Sequence, residues 1–156
     1  MIAFEIFHYM KNSKGTEGSM AIKLDMAKAY DRVEWSFLQR VLVAFGLDSG
    51  WINRVMACVT TVSFAVLING HPSGEFRPSR ELRQGDPLSP YLFILCAEIL
   101  SHQLRRATEV GALHGVRIST GAPPISHLLF ADDSLFFVKA TGEEADVVSS
   151  ILRRYE

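Results

Sequence analysis

The pair Asp132-Asp133 interrupts two apolar, strand-like runs, Leu128-Leu129-Phe130 before it and Leu135-Phe136-Phe137-Val138 after it. β-rich runs joined by so short a polar break read as an antiparallel hairpin, which puts two carboxylates at its tip. Carboxylates about 4 Å apart repel by roughly 4 kcal/mol at an effective dielectric of 20. Either both sit in water at a tight turn, or a cation neutralises them. Aspartate favours turns on its own account, so this pair alone reads first as a solvated turn.

A second carboxylate site narrows the choice. Met20-Ala21-Ile22-Lys23-Leu24 alternates toward Asp25 as a half-buried strand does. If that strand neighbours the hairpin, Asp25 and Asp132 meet at one sheet edge. Oxygen ligands from separate strands suit Mg²⁺, which takes one or two carboxylates plus substrate phosphates. A pair of such ions serves phosphoryl transfer. From the spacing alone, Asp25 reads first as the polar end of a strand. Arg83-Gln84-Gly85-Asp86-Pro87-Leu88-Ser89-Pro90 is a loop feeding a helix. It sets backbone N–H groups and the Gln84 amide near a helix N-terminus, which favours anionic or polar ligands; a loop merely shaped by glycine and two prolines reads the same way.

The remaining elements follow from periodicity. Ile2, Ile6, Phe7 and Met10 recur at helical spacing, and Lys11 to Ser19 is a polar loop. Val33, Phe37, Leu38, Val41, Leu42 and Phe45 trace one face of a helix from Tyr30 to Phe45, which Gly46 ends. Asp48 or Ser49 caps a second helix with Ile52, Val55, Met56 and Val59 on its apolar face. Phe64 to Ile68 and Glu75 to Leu82 read as strands about an Asn69-Gly70 turn. Ser89 and Pro90 open a helix running to about Val110, stopped by Gly111. Val116 to Ile118 and Ser126 to Phe130 are strands, and a last helix starts after Gly142 and still runs at Glu156. This is one domain of layered helices and strands.

Composition excludes several functions. Sixteen Lys and Arg against seventeen Asp and Glu give a net charge of −1 over 156 residues, so no polybasic surface holds nucleic acid by charge alone. Nucleic acid handled through metal ions stays open. Cys58 and Cys96 lie in apolar surroundings, and His8, His71, His102, His114 and His127 form no i, i+4 pair; neither a disulfide framework nor structural zinc is expected. The apolar run Tyr91 to Ala97 is far short of the ~20 residues that cross a bilayer. The Met1 stretch carries Glu5 and no basic leader, so a soluble, reduced protein is expected.

In order, Lys23-Leu24-Asp25-Met26-Ala27-Lys28-Ala29-Tyr30-Asp31-Arg32-Val33-Glu34-Trp35, Arg83 to Pro90 and Phe130 to Asp133 closely resemble the reverse transcriptase domain of LINE-type (non-LTR) retrotransposons, plant ones especially. Phe45-Gly46-Leu47 and the intervening lengths match as well. The resemblance covers essentially the whole chain. It implies an α+β polymerase palm, a ferredoxin-like βαββαβ antiparallel sheet backed by helices. Residues 1–156 are then a partial reverse transcriptase domain, palm core with part of the fingers, and the start of the fingers and the thumb are expected to be missing.

The implied activity is that of an RNA-directed DNA polymerase using two Mg²⁺ ions, or Mn²⁺. A primer 3′-hydroxyl attacks a deoxynucleoside triphosphate and pyrophosphate leaves. The implied partners are an RNA template, a DNA primer and dNTP, with other retrotransposon segments in trans and no membrane; the family's target, chromosomal DNA, implies the nucleus. By the same resemblance Asp25 is the first metal-binding aspartate, with the Met26 carbonyl as an extra ligand. Asp132 is the second shared ligand and Asp133 its acidic neighbour. Tyr30 closes the pocket under the sugar and disfavours ribonucleotides, while Gln84 and Gly85 contact incoming nucleotide and template. Trp35 reads as core packing, and Arg77, Arg80 and Arg83 as a backbone-tracking surface or a solvated strand edge. The alternative is an inactive retrotransposon remnant that folds and at most binds Mg²⁺ or nucleic acid weakly. A Mg²⁺-dependent phosphoacceptor domain would want a parallel βα alternation, which the sequence does not carry.

Overall fold

Alternation in residues 19–25 and an unbroken apolar run in 135–138 dictate different places in one sheet: an outer strand with two unlike faces, and a centre strand covered on both. A computed structural model describes residues 2–13 and 18–155. Its elements are α1 (Ile2–Asn12), β1 (Ser19–Asp25), a 3₁₀ turn (Tyr30–Arg32), α2 (Trp35–Ala44), α3 (Ser49–Thr60), β2 (Leu67–Ile68), β3 (His71–Pro72), α4 (Ser89–Glu109), β4 (His127–Phe130), β5 (Asp133–Lys139) and α5 (Gly142–Tyr155). They divide into two compact units, Met1–Ala27 with Ala97–Glu156, and Lys28–Cys96, the boundary falling inside α4.

The first unit is an antiparallel sheet backed by helices, the palm arrangement. Its described strands run in the order β1-β5-β4. Phe136, Phe137 and Val138 of the central β5 are fully buried. On one face Phe136 and Val138, with Met20, Ile22 and Leu24, pack against Leu100, Leu104 and Ala107 of α4 and Val148 and Ile151 of α5. On the other, Ala21, Leu135 and Phe137 meet Ile6 and Met10 of α1, and Phe7 stands edge-on to Phe137 with ring centroids 5.8 Å apart. Each such side chain, fully buried, contributes about 1.5–3 kcal/mol, so β5 anchors the unit.

Thr141-Gly142-Glu143-Glu144 has the spacing of a capping box, and the Glu144 N–H does bond the Thr141 hydroxyl, at 3.4 Å. The Glu144 side chain is used elsewhere. One carboxylate oxygen accepts the N–H groups of Lys139 (3.0 Å) and His114 (3.3 Å), and the other meets His114 Nδ1 at 2.6 Å. One buried carboxylate thereby ties α5, the end of β5 and the loop after α4 together.

In the second unit α2 packs on α3, with Leu38, Val41 and Leu42 buried from one and Ile52, Val55 and Val59 from the other. The turn between them follows the sequence closely. Gly46, at φ +75°, donates to the Val43 carbonyl, and Leu47 donates to that of Leu42, the paired bonds of a Schellman ending. Asp48 then caps α3 through the N–H groups of Gly50 and Trp51.

Several elements are shorter than the sequence predicts. The helix expected from Tyr30 to Phe45 is broken: Val33 and Glu34 are extended between the 3₁₀ turn and α2. Their backbone is claimed by the loop before α4. Glu81 N–H bonds the Val33 carbonyl and Leu82 N–H that of Tyr30, both at 2.9 Å. Glu34 and Arg80 pair through their backbones in an isolated antiparallel β-bridge, and the Trp35 indole, expected only to pack, donates to the Glu81 carbonyl at 2.8 Å.

The hairpin about Asn69-Gly70 keeps its turn, with φ +49° and +83°, the signs a type I′ turn requires. Its strands contract to β2, β3 and one bridge, Phe64 to Phe76, because Pro72, Gly74 and Pro78 interrupt the returning ladder. The strand expected at Val116 to Ile118 reduces to a bridge between Val116 and Ile125, since Pro123 and Pro124 offer no N–H to extend it. At α4 it is Asp86, not Ser89, whose side chain accepts a backbone bond, from Leu88 N–H at 2.8 Å. Of the loop expected at Lys11 to Ser19, the ends join α1 and β1; positions 14–17 lie outside the described residues, as do Met1 and Glu156.

Candidate active site

β1 ends at Asp25 and β5 begins at Asp133, and the register sets these two directly opposite each other. Opposed residues share a sheet face with Cβ atoms about 4.5–5.5 Å apart. The partner pair Phe130 and Asp133 closes the hairpin, leaving Ala131 and Asp132 as a two-residue loop. Ala131 stands at φ +49°, a left-handed conformation that costs a residue with a Cβ about 1–2 kcal/mol and that tight hairpins usually give to Gly, Asn or Asp. Met26 N–H donates to the Asp132 carbonyl at 2.9 Å, so the chain leaving β1 is stitched to the hairpin tip. Asp25, Met26, Asp132 and Asp133 are thus gathered at one end of the sheet, Asp25 and Asp132 exposed and Asp133 half-buried.

Strand parity explains the placement. Ala21, Leu135 and Phe137 lie on the face that α1 covers, and Asp25 and Asp133 continue that face to its uncovered end. Parity also exposes a residue the motif reading passed over. Lys23 lies two positions before Asp25, and its Nζ is 2.8 Å from Asp133 Oδ1. The hydrogen bond to Asp133 and that residue's charge raise the lysine's pKa above its ordinary value, desolvation opposes them, and the charges of Asp25 and Asp132 add lesser upward contributions. The period-2 spacing of Lys23 and Asp25 was the available signal.

Among the described residues no three His, Cys, Asp or Glu side chains form a ready-made metal cage. Two exposed carboxylates beside the Met26 peptide are a partial set of hard oxygen donors. That suits Mg²⁺, which keeps waters or substrate phosphates in its remaining positions.

Tyr30, Gln84 and Gly85 belong to the second unit. The half-buried Tyr30 ring stacks on Phe93, with centroids 4.7 Å apart and planes within 9°. Gln84 and Gly85 are exposed in a turn closed by Asp86 N–H on the Arg83 carbonyl, at 3.4 Å. Gly85, at φ +84°, takes the third position, which in a type II turn requires a positive φ. No helix among the described residues is long and apolar enough to cross a membrane.

Residues 2–156 match the family described as reverse transcriptase (RNA-dependent DNA polymerase). Over 130 residues the chain is 31% identical to the retrovirus-related Pol polyprotein from type-1 retrotransposable element R2 of Popillia japonica, covering 82% of this chain and 20% of that protein. Over 116 residues it is 34% identical to the Pol polyprotein from type-2 retrotransposable element R2DM of Drosophila melanogaster, covering 74% and 10%. An uncharacterized mitochondrial protein of Arabidopsis thaliana is 65% identical over 68 residues, 44% of this chain and 56% of that one. The apo telomerase from Candida tropicalis, truncated from its C-terminal domain, superposes with a TM-score of 0.67 over 99% of this chain and 32% of its own; at 18% identity the likeness is one of fold. The chain therefore spans about half the length of the Arabidopsis protein and a fifth or less of the Pol polyproteins. The family match over residues 2–156 places this chain in the reverse transcriptase (RNA-dependent DNA polymerase) family.

Proposed function

We propose that this chain is part of an RNA-directed DNA polymerase in which Asp25 and Asp132 act together in nucleotidyl transfer to a primer 3′-hydroxyl. The observation that carries the reading is the β1–β5 register, which brings Asp25 opposite Asp133 while Met26 bonds the Asp132 carbonyl. Side-chain oxygens of Asp25 and Asp132, with the Met26 carbonyl, are the groups to hold Mg²⁺ or Mn²⁺. A divalent ion bound there neutralises phosphate charge and makes the primer hydroxyl more acidic. The sheet holds both carboxylates at one end before substrate arrives, so little reorganisation is needed at the moment of reaction. As the 3′-oxygen bonds the α-phosphorus, the bond to the bridging oxygen breaks, the hydroxyl proton departs and pyrophosphate leaves.

The finer roles rest on the family's motifs. Tyr30 lies under the sugar, its plane fixed by Phe93, and Gln84 and Gly85 contact nucleotide and template. RNA template, DNA primer and dNTP are the partners, with other retrotransposon segments acting in trans and nuclear DNA as target. The alternative is a folded remnant without activity, which at most binds Mg²⁺ or nucleic acid weakly. Primer extension on RNA and DNA templates with Mg²⁺, alone and with supplied trans segments, separates the two. Incorporation that disappears in Asp132→Asn at an unchanged thermal midpoint supports the polymerase. A folded, monodisperse chain that extends no primer under either condition refutes it.

A further inference from the structure

Lys23 leaves the same face of β1 as Asp25, two residues on. Its direct cross-strand partner is Leu135, yet its ammonium passes that position and reaches Asp133 on the diagonal, 2.8 Å from Oδ1. Diagonal neighbours are about 7–8 Å apart, a span only long side chains bridge. Their side chains keep 60% and 46% of their surface in contact with solvent, and ion pairs so accessible contribute little to stability. The effect of this one is local: a single carboxylate of the acidic cluster carries a tethered counter-ion.

Building on the polymerase reading, we propose that Lys23 is a positioning residue that sets the divalent-ion affinity of the site. It holds the Asp133 carboxylate out of the ligand set and leaves Asp25 and Asp132 as the chelating pair. Its charge also opposes an arriving dication, so both effects weaken metal binding in the absence of substrate. The ion is then retained mainly when triphosphate oxygens complete its shell, and it arrives and leaves with the substrate.

Mn²⁺ is the probe, titrated against the full chain while electron paramagnetic resonance reads the free ion. Lys23→Met should tighten Mn²⁺ binding about three- to tenfold, the range for a unit charge ~6 Å from a dication in water-like surroundings with and without salt screening. Lys23→Arg should keep the parent affinity, and the gain should shrink with added salt. In an Asp25→Asn background the gain should vanish. Equal affinities for parent and Lys23→Met overturn the inference and leave the polymerase reading standing, as does a gain that survives in the Asp25→Asn background. Parent Mn²⁺ binding that neither Asp25→Asn nor Asp132→Asn weakens overturns both. Thermal midpoints near the parent's certify that each variant is folded.

Discussion

Replacing Glu144 by alanine should destabilise the sheet unit by about 3–5 kcal/mol, the range for removing one partner of a buried, bonded charge. Glu144 is 5% exposed, and its carboxylate accepts two backbone N–H groups and the His114 ring. Hydrogen bonds to a charged group contribute roughly 1.5–3 kcal/mol each, so the gross loss exceeds the net expectation. The difference is returned in two ways. Alanine no longer keeps a carboxylate out of water, and the recess beside Glu144, about 580 Å³ and lined by Gly111, Ala112, Lys139 and Thr141, lets water reach the freed donors.

Glutamine separates the two contributions. Its single oxygen can take the place that receives both N–H groups, while its amide faces an imidazole nitrogen able to accept. The expected loss is then about 1–1.5 kcal/mol, that of one weakened bond. Urea unfolding followed by far-ultraviolet circular dichroism reads both. With a slope near 2 kcal/mol/M, alanine lowers the midpoint by about 2 M and glutamine by about half a molar. An alanine variant within 1 kcal/mol of the parent would show that water replaces the carboxylate. A glutamine variant as damaged as alanine would show that charge, and not the placement of one oxygen, secures the joint.

Two further expectations concern groups that are not part of the acidic cluster. His127 is half-buried, its ring bonded to Ser101 at 2.9 Å and to Ser126 at 3.0 Å, and burial first, then Arg105, lowers its pKa while Glu98 opposes. The unfolded chain therefore takes up the proton first: the stability is present in full above about pH 6.5 and is lost as pH falls from there to the depressed native value. His127→Gln should flatten the urea midpoint between pH 7 and 5, and an unaltered slope refutes the assignment. Burial pushes the Cys96 thiol up to about 12, whereas Cys58 is exposed. At pH 8 one thiol should react quickly with a disulfide reagent and the other only on unfolding; two fast thiols in the parent, or a fast thiol left in Cys58→Ser, contradicts the burial.

What could be read from the sequence was what local rules decide. Period-2 alternation located β1, the apolar run located β5, and Gly46 and Asp48 marked a helix end and a helix start that the structure builds with the expected bonds. Antiparallel pairing could be anticipated only as a condition, that β1 neighbour the hairpin, because register between segments so far apart depends on tertiary packing. The same limit explains the misses. Residues 30–34 have helical periodicity, but their carbonyls are taken by Glu81 and Leu82 from a distant loop. The Glu144 carboxylate serves groups five and thirty residues away, which no local pattern announces. Lys23 was legible by parity and was passed over because motif reading attends to the aspartate and not to its face.

The hairpin that carries the aspartates is built against ordinary folding preference. Ala131 holds a left-handed conformation at a cost of about 1–2 kcal/mol. Asp133 faces Asp25, a like-charged cross-strand pair, and the fully buried Ser134 hydroxyl finds no hydrogen-bond partner among the described residues. Three liabilities lie within positions 131–134, at and just before the start of β5, the best-buried of the described strands. Phe136, Phe137 and Val138 offset them, since three full burials at about 1.5–3 kcal/mol each exceed the strain. A segment selected for stability alone would place glycine at 131, separate the charges and make 134 apolar. Strain and like charge concentrated where the chain is most firmly held is the pattern of a site whose geometry matters more than its own stability, and it points to the same carboxylates that the strand register brings together.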